Sequence, residues 1–199
     1  MNHLSNLLST RRLLLALTVL LLASCAKLRN TDNYRWLVKT TTDSDSGSVR
    51  FDTILATTVA EQAGLAMPSL TEQSPRKSYE DSIYVLEAFL KGFMIETDGD
   101  YHLIIQDTAA EATMLAEIPD PDAEWTTHSS RTEQFRAARA SFDKIVGKPK
   151  SSLTVPSKPV KLRITGIGFF DPPHLALSHE GSAKNGREIH PVLKLEAVE

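Results

Sequence analysis

Ser82-Ile83-Tyr84-Val85-Leu86-Glu87-Ala88-Phe89-Leu90-Lys91-Gly92-Phe93-Met94-Ile95-Glu96 is the stretch on which the fold turns. It is dense enough in apolar and aromatic residues for a helix or a buried strand, and Tyr84 to Ala88 favours neither state cleanly. Gly92 inside the run, and the Asp98-Gly99 pair just beyond it, tip the reading toward a long strand with a bend that enters a hairpin.

Working outward, Tyr101 to Gln106 is the return strand, and Thr113 to Ile118 is a third strand ended by Pro119 and Pro121. Ser130-Arg131-Thr132-Glu133 reads as a capping box. It opens a helix with Phe135, Ala138, Phe142 and Ile145 on one stripe, stopped by Gly147 and Pro149. Val160 to Phe170 is a fourth strand, with Gly166 and Gly168 as points of curvature. Asn185-Gly186 is a turn before the fifth strand, Ile189 to Val198. Three strands, a helix and two strands form the order of an OB-fold, a small, mainly β, five-stranded Greek-key barrel with one α-helix. An open α+β sheet is the competing arrangement.

Upstream, Trp36-Leu37-Val38-Lys39 has the stamp of a short strand or a docking segment, and Thr40 to Ser48 reads as a loop. Thr58-Val59-Ala60-Glu61 fits a capping box with Gly64 as a stop, so a short helix is expected near 58–64. Met67 to Ser78 carries Pro68 and Pro75 and reads as a linker or surface loop. The expected organisation is a leader over 1–24, a tether and N-terminal extension over 25–78, and the OB-like barrel over 79–199.

The leader is read from charge and apolar length. Arg11 and Arg12 precede Leu13 to Leu22, an apolar core of about ten residues, short for a membrane span and suited to a signal peptide. Leu22-Ala23-Ser24-Cys25 follows, with the sole cysteine at its end, and resembles a bacterial lipobox, in which the cysteine is acylated and becomes the new N-terminus. That resemblance implies a membrane anchor at Cys25 on the cell envelope. With Ala26 after the cysteine, it implies the periplasmic face of the outer membrane in a host with two membranes. Removing residues 1–24 takes away two arginines and no acid, so the formal charge moves from −3 to −5, 20 basic residues against 25 acidic. A mildly acidic protein is a poor general binder of phosphate backbones, which argues against nucleic acid and leaves envelope proteins, peptides or glycans as partners.

Asp100-Tyr101-His102-Leu103, Glu117-Ile118-Pro119, Thr165 to Asp171 and Asn185 to Val192 together resemble a family of exported bacterial proteins of unknown function, as does Trp36 to Thr40. The resemblance covers most of the mature chain and implies a layout with no reaction attached. The chain departs from that pattern at Asp120-Pro121-Asp122-Ala123, where relatives often carry a cysteine, and over His174 to Lys184. The Asp98-Gly99-Asp100 turn before a strand also resembles thermonuclease-type OB-folds. Those enzymes need acids for calcium and arginines for phosphate, and Thr113 to Ile118 has no arginine.

Four residues form the candidate site: His102 in the second strand, Glu117 in the third, Asp171 at the end of the fourth and His190 in the fifth. Imidazole and carboxylate together bind a zinc-like metal or pass protons. No spacing signature selects a metal, and no cofactor is implied. Gly-x-Ser-x-Gly, phosphate-loop, dinucleotide and His-Glu-x-x-His motifs do not occur. Alternation puts His190 with Glu188 and Lys194 on a face read as solvated; the first expectation is that His102 and His190 cap hydrogen-bond networks at the barrel ends, ahead of a metal or catalytic site or contact with a ligand. Phe169 and Phe170 point to opposite faces, one to the core and one to a recognition surface with Tyr101 or Trp125. The expectation is a lipid-anchored envelope binding or assembly module, with a nuclease-like, metal-assisted hydrolase using the His/Glu/Asp cluster as the alternative.

Overall fold

The computed structural model describes residues 34–171 and 181–199. Residues 1–24, expected to be a leader, and Cys25 lie outside them, as does most of the stretch 174–184. The elements are α1 (Tyr34–Lys39), β1 (Arg50–Ala56), α2 (Val59–Ala63), β2 (Ser82–Ile95), β3 (Tyr101–Asp107), β4 (Thr113–Ile118), α3 (Thr132–Val146), β5 (Lys161–Phe170) and β6 (Arg187–Val198). The sheet runs β1-β2-β3-β4-β6-β5, and a β2–β5 pairing closes it. Strands β2 to β6 therefore form a closed five-stranded barrel. β4 and β6 run parallel and the other barrel pairs are antiparallel. This is the OB order read from the sequence, with β1 as one extra strand, parallel to β2.

β2 shows why its sequence was ambiguous. Leu86, Phe89, Leu90 and Phe93 share a helical stripe, yet Leu86, Ala88 and Leu90 alternate into the core as a strand requires. A register shift between Leu90 and Gly92 then moves the buried phase to Phe93. Non-local pairing decides between the two states: the first half of β2 lies along β5 and the second half along β3. Gly166 and Gly168 sit at further register shifts against β6. A Cβ on Gly166 would stand 2.5 Å from the carbonyl oxygen of Pro191, so this close approach needs a glycine.

α3 covers one end of the barrel. Phe135, Ala138 and Phe142 are buried, and Phe142 meets Phe93 and Tyr101 edge-on at 5.3 and 5.9 Å. Arg131, whose side chain makes no cap, precedes the helix, so the expected Ser130–Glu133 box does not form. Thr132 donates instead to the carbonyls of Thr126 and Ser129 at 2.6 and 2.9 Å. Gly147 ends the helix at φ 91°. The box at Thr58 and Glu61 forms as read, and opens α2.

The N-terminal extension is part of the folded body. Trp36 to Lys39 is helical, not a strand: Arg35 and Val38 point inward, Trp36 meets Trp125 at 5.6 Å, and Thr41 at φ 57° ends the turn. Arg35 forms a buried ion pair with Glu80 and donates to the Phe170 carbonyl at 2.8 Å. Arg76 pairs with Asp43 at 2.8 Å, also buried. These staples, with Arg35 and Lys39 over the Phe169 ring, seat α1 against the end of β5. Among the described residues no helix is long and apolar enough to cross a bilayer.

Two further expectations are corrected. Phe169 and Phe170 are both buried. Phe169 packs under Arg35, Lys39 and His190, and Phe170 against Tyr79 and Arg187. Tyr101 is buried as well, so no recognition surface forms from these rings. The β6 face carrying Glu188 and His190 is buried too. β4 pairs with this half of β6, and Phe169 packs against His190, so no in/out alternation shows from Arg187 to Leu193.

Candidate functional site

Strand register builds the site. β3 and β4 place His102 directly opposite Glu117, and Nδ1 of His102 lies 2.9 Å from Glu117 Oε1. Parallel pairing aligns Ala116 with Ile189, which brings the next residue of each strand, Glu117 and His190, side by side. His190 Nδ1 is 2.9 Å from Glu117 Oε2. One carboxylate thus faces both imidazoles.

Asp100 enters from the β2–β3 turn. Gly99 adopts φ 93°, and the carboxylate of Asp100 is held through Oδ1, which accepts from Asp120 N at 2.8 Å. Its other oxygen, Oδ2, stands 3.5 Å from His190 Nε2. Arg139 of α3 steadies this corner by donating to the carbonyls of Gly99, Ile118 and Pro119 at 2.6, 3.0 and 3.0 Å, over the ring of Tyr101. Glu188 Oε2 lies 3.8 Å from His190 Nδ1, and Lys39 Nζ descends from α1 to 3.7 Å from Glu117 Oε2. Glu96 approaches His102 at 3.4 Å from the more exposed side.

The cluster is buried and electrically uneven. Burial opposes the charge on Glu117, but Lys39, His190 and His102 outweigh it and hold the carboxyl well below its ordinary range. Burial and the charge of Glu117 push Glu188 up. Burial works against charge on His102, and the hydrogen bond and charge of Glu117 overcome it, raising the imidazole. His190 is raised well above its ordinary value, because Glu117 and Asp100 outweigh burial and the repulsion of Lys39. Lys39 is raised despite burial by Glu117, Asp171, Glu188 and Asp100. Neither ring nitrogen of His190 makes a directed hydrogen bond, despite the short approach to Glu117, and the same is true of Asp100 Oδ2 and Glu188 Oε2.

Of the four residues read from the sequence, His102, Glu117 and His190 meet. Asp171, at the end of β5, acts as a charge felt by Lys39 and Glu188. Asp100, Glu188 and Lys39 escaped the sequence reading. Asp100 sat in a turn motif, Glu188 on a face taken as solvated, and Lys39 in a segment with no fixed relation to the barrel. The available signal was the i, i+2 spacing of Asp100 with His102 and of Glu188 with His190, which puts each pair on one face of a strand or strand end. The arrangement can hold a cation or relay a proton between two imidazoles through one carboxylate. No protein-family model, curated protein or solved structure matches the chain.

Proposed function

We propose that the protein is a lipid-anchored component of a bacterial cell envelope whose OB-like barrel is a binding or assembly module. The observation that carries this reading is the roof over the cluster. α1, pinned by Arg35 to Glu80, sets Lys39 against Glu117, while His190 and Asp100 are almost wholly withdrawn from solvent. Groups held this way serve to bind and brace more readily than to attack a large substrate. The leader order ending at Cys25 supports the anchor, and two or more acyl chains would hold the domain stably on a bilayer. Fold alone does not choose the ligand, since OB barrels host many functions. An envelope protein, peptide or glycan fits the acidic mature charge.

The test has two arms. Fatty-acid labelling of cells should mark the wild-type chain and not Cys25→Ser, which should leave the membrane fraction; unchanged labelling in that variant sinks the anchor. A photo-crosslinker at Ile54 or Leu55, exposed on β1, should give a discrete envelope adduct in intact cells, and none at either position counts against the module. The convergence of His102, Glu117 and His190 favours a second reading, a metal-assisted hydrolase. A phosphodiesterase turnover that disappears in His102→Ala and Glu117→Ala would bring it forward, and no turnover with any divalent metal would remove it.

A further inference from the structure

Asp100 Oδ2 and His190 Nε2 are sealed inside the protein, 3.5 Å apart, on side chains no more than 1% exposed. Neither atom has a hydrogen-bond partner. A ring N–H bonded to that oxygen would lie close to the N···O line, with the heavy atoms nearer about 2.9 Å. Two ligands of one cation behave differently. Zinc bonds of about 2.05 Å to nitrogen and about 2.1 Å to oxygen, at a tetrahedral angle, place the two atoms about 3.4 Å apart. The oxygen then stands well off the axis of the nitrogen lone pair. The 3.5 Å separation therefore matches shared metal ligands more closely than a hydrogen bond.

Glu117 is the third donor; its short contact is to Nδ1, the other ring nitrogen of His190, so its carboxylate turns toward the Nε2 side to share a metal with Asp100. One ligating atom from each of Asp100, Glu117 and His190 falls within 4.8 Å of the other two, and all three residues are buried. They come from the β2–β3 turn, β4 and β6, three separate pieces of backbone that the barrel closure brings together. Asp100 is aimed by the bond its other oxygen accepts from Asp120. Glu188, with a further buried oxygen lacking a hydrogen bond, stands beside them as another carboxyl, and Lys39 brings a positive charge to Glu117. An imidazole beside two carboxylates suits a borderline cation better than calcium or magnesium, which take oxygen donors.

We propose that Asp100, Glu117 and His190 hold a divalent transition-metal cation of the zinc type. Three protein donors leave a fourth position for water or a ligand group. The inference deepens the binding-module reading by naming what the barrel holds, and it does not depend on the anchor. Lys39 competes with the metal for Glu117, so its removal should strengthen binding.

The experiment takes the full chain in detergent, purified without a metal-binding tag, stripped with chelator and titrated with zinc against a chromophoric competitor. One zinc per chain is expected, with stoichiometric binding lost in His190→Gln and Asp100→Asn. Lys39→Met should tighten it by about tenfold or more, as removal of a like charge at short range requires. No zinc on the wild-type chain, or binding unchanged in both ligand variants, overturns the proposal. Should those variants fail to fold, cobalt(II) added to the wild-type chain decides. Visible bands of tetrahedral intensity support the site, and a weak, solvent-like spectrum overturns it. Loss of the metal site with Cys25 still acylated would leave the anchored module standing.

Discussion

Replacing Glu80 with alanine should destabilise the protein severely, and the structure says by how much. Glu80 is fully buried and accepts four hydrogen bonds: two from Arg35, one from Phe170 N at 3.1 Å and one from Lys77 N at 3.0 Å. Glu80→Ala leaves the Arg35 guanidinium buried without its carboxylate, still bonded to the Phe170 carbonyl at 2.8 Å. Breaking a buried ion pair in this way costs about 3–5 kcal/mol. For a domain of this size that corresponds to a fall in Tm on the order of 10 °C. Urea unfolding of wild type, Glu80→Ala, Arg35→Met and the double variant Arg35→Met/Glu80→Leu measures it, provided the m values agree. The double variant should recover part of the loss, because no orphaned charge remains. Because Arg35 pins α1, amide exchange at Thr40 and Thr42 should accelerate in Glu80→Ala before the barrel opens. A cost below about 1 kcal/mol, the range of an exposed pair, with unchanged exchange in α1 would refute the claim that this pair seats the roof.

Other consequences follow from the same contacts. Phe142→Ala removes the ring that α3 sets between Phe93 and Tyr101 and should cost about 3–5 kcal/mol by chemical denaturation; a loss near that of a surface substitution would contradict the docking of α3. At Asp107, burial raises the pKa, but the N–H groups of Ala109, Ala60 and Ala110 together with the Thr58 hydroxyl outweigh it and lower the folded value. Its contribution is therefore present above the unfolded pKa of about 3.9 and is lost as pH falls through the lower folded value. The stability gap between wild type and Asp107→Asn should be open at pH 7 and close as the solution is acidified below about pH 4. A gap that is constant with pH would mean that the carboxylate charge plays no part in holding α2.

Most of the barrel was legible because the boundaries of its strands are local signals, although the strand state of β2 rests on its distant partners. Strands β2 to β6 carry runs of apolar residues bounded by Asp98-Gly99, prolines and Asn185-Gly186, and their order alone restricts the topology. β1 escaped because Arg50 to Ala56 is almost entirely exposed, so it has no alternation to read. Its strand state comes from pairing along the first residues of β2. α1 has only six residues, too few for a periodic signal, and its helicity is set by the buried partners of Arg35 and Val38. The site divides in the same way. His102 and Glu117 were found because chemistry-bearing residues in successive strands are natural neighbours. The depth of His190 was not, because it depends on α1 and β5 covering a face that alternation alone leaves in solvent. Asp100 looked like turn chemistry, and it is; the same turn also aims its second oxygen at His190.

The most direct measurement is anomalous diffraction at the zinc edge from crystals of the protein grown with zinc. The account predicts one strong peak within bonding distance of Asp100 and His190 and beside Glu117, with Lys39 drawn back from that carboxylate. A map with no peak there, or with zinc only on the exposed side at Glu96 and His102, would contradict it.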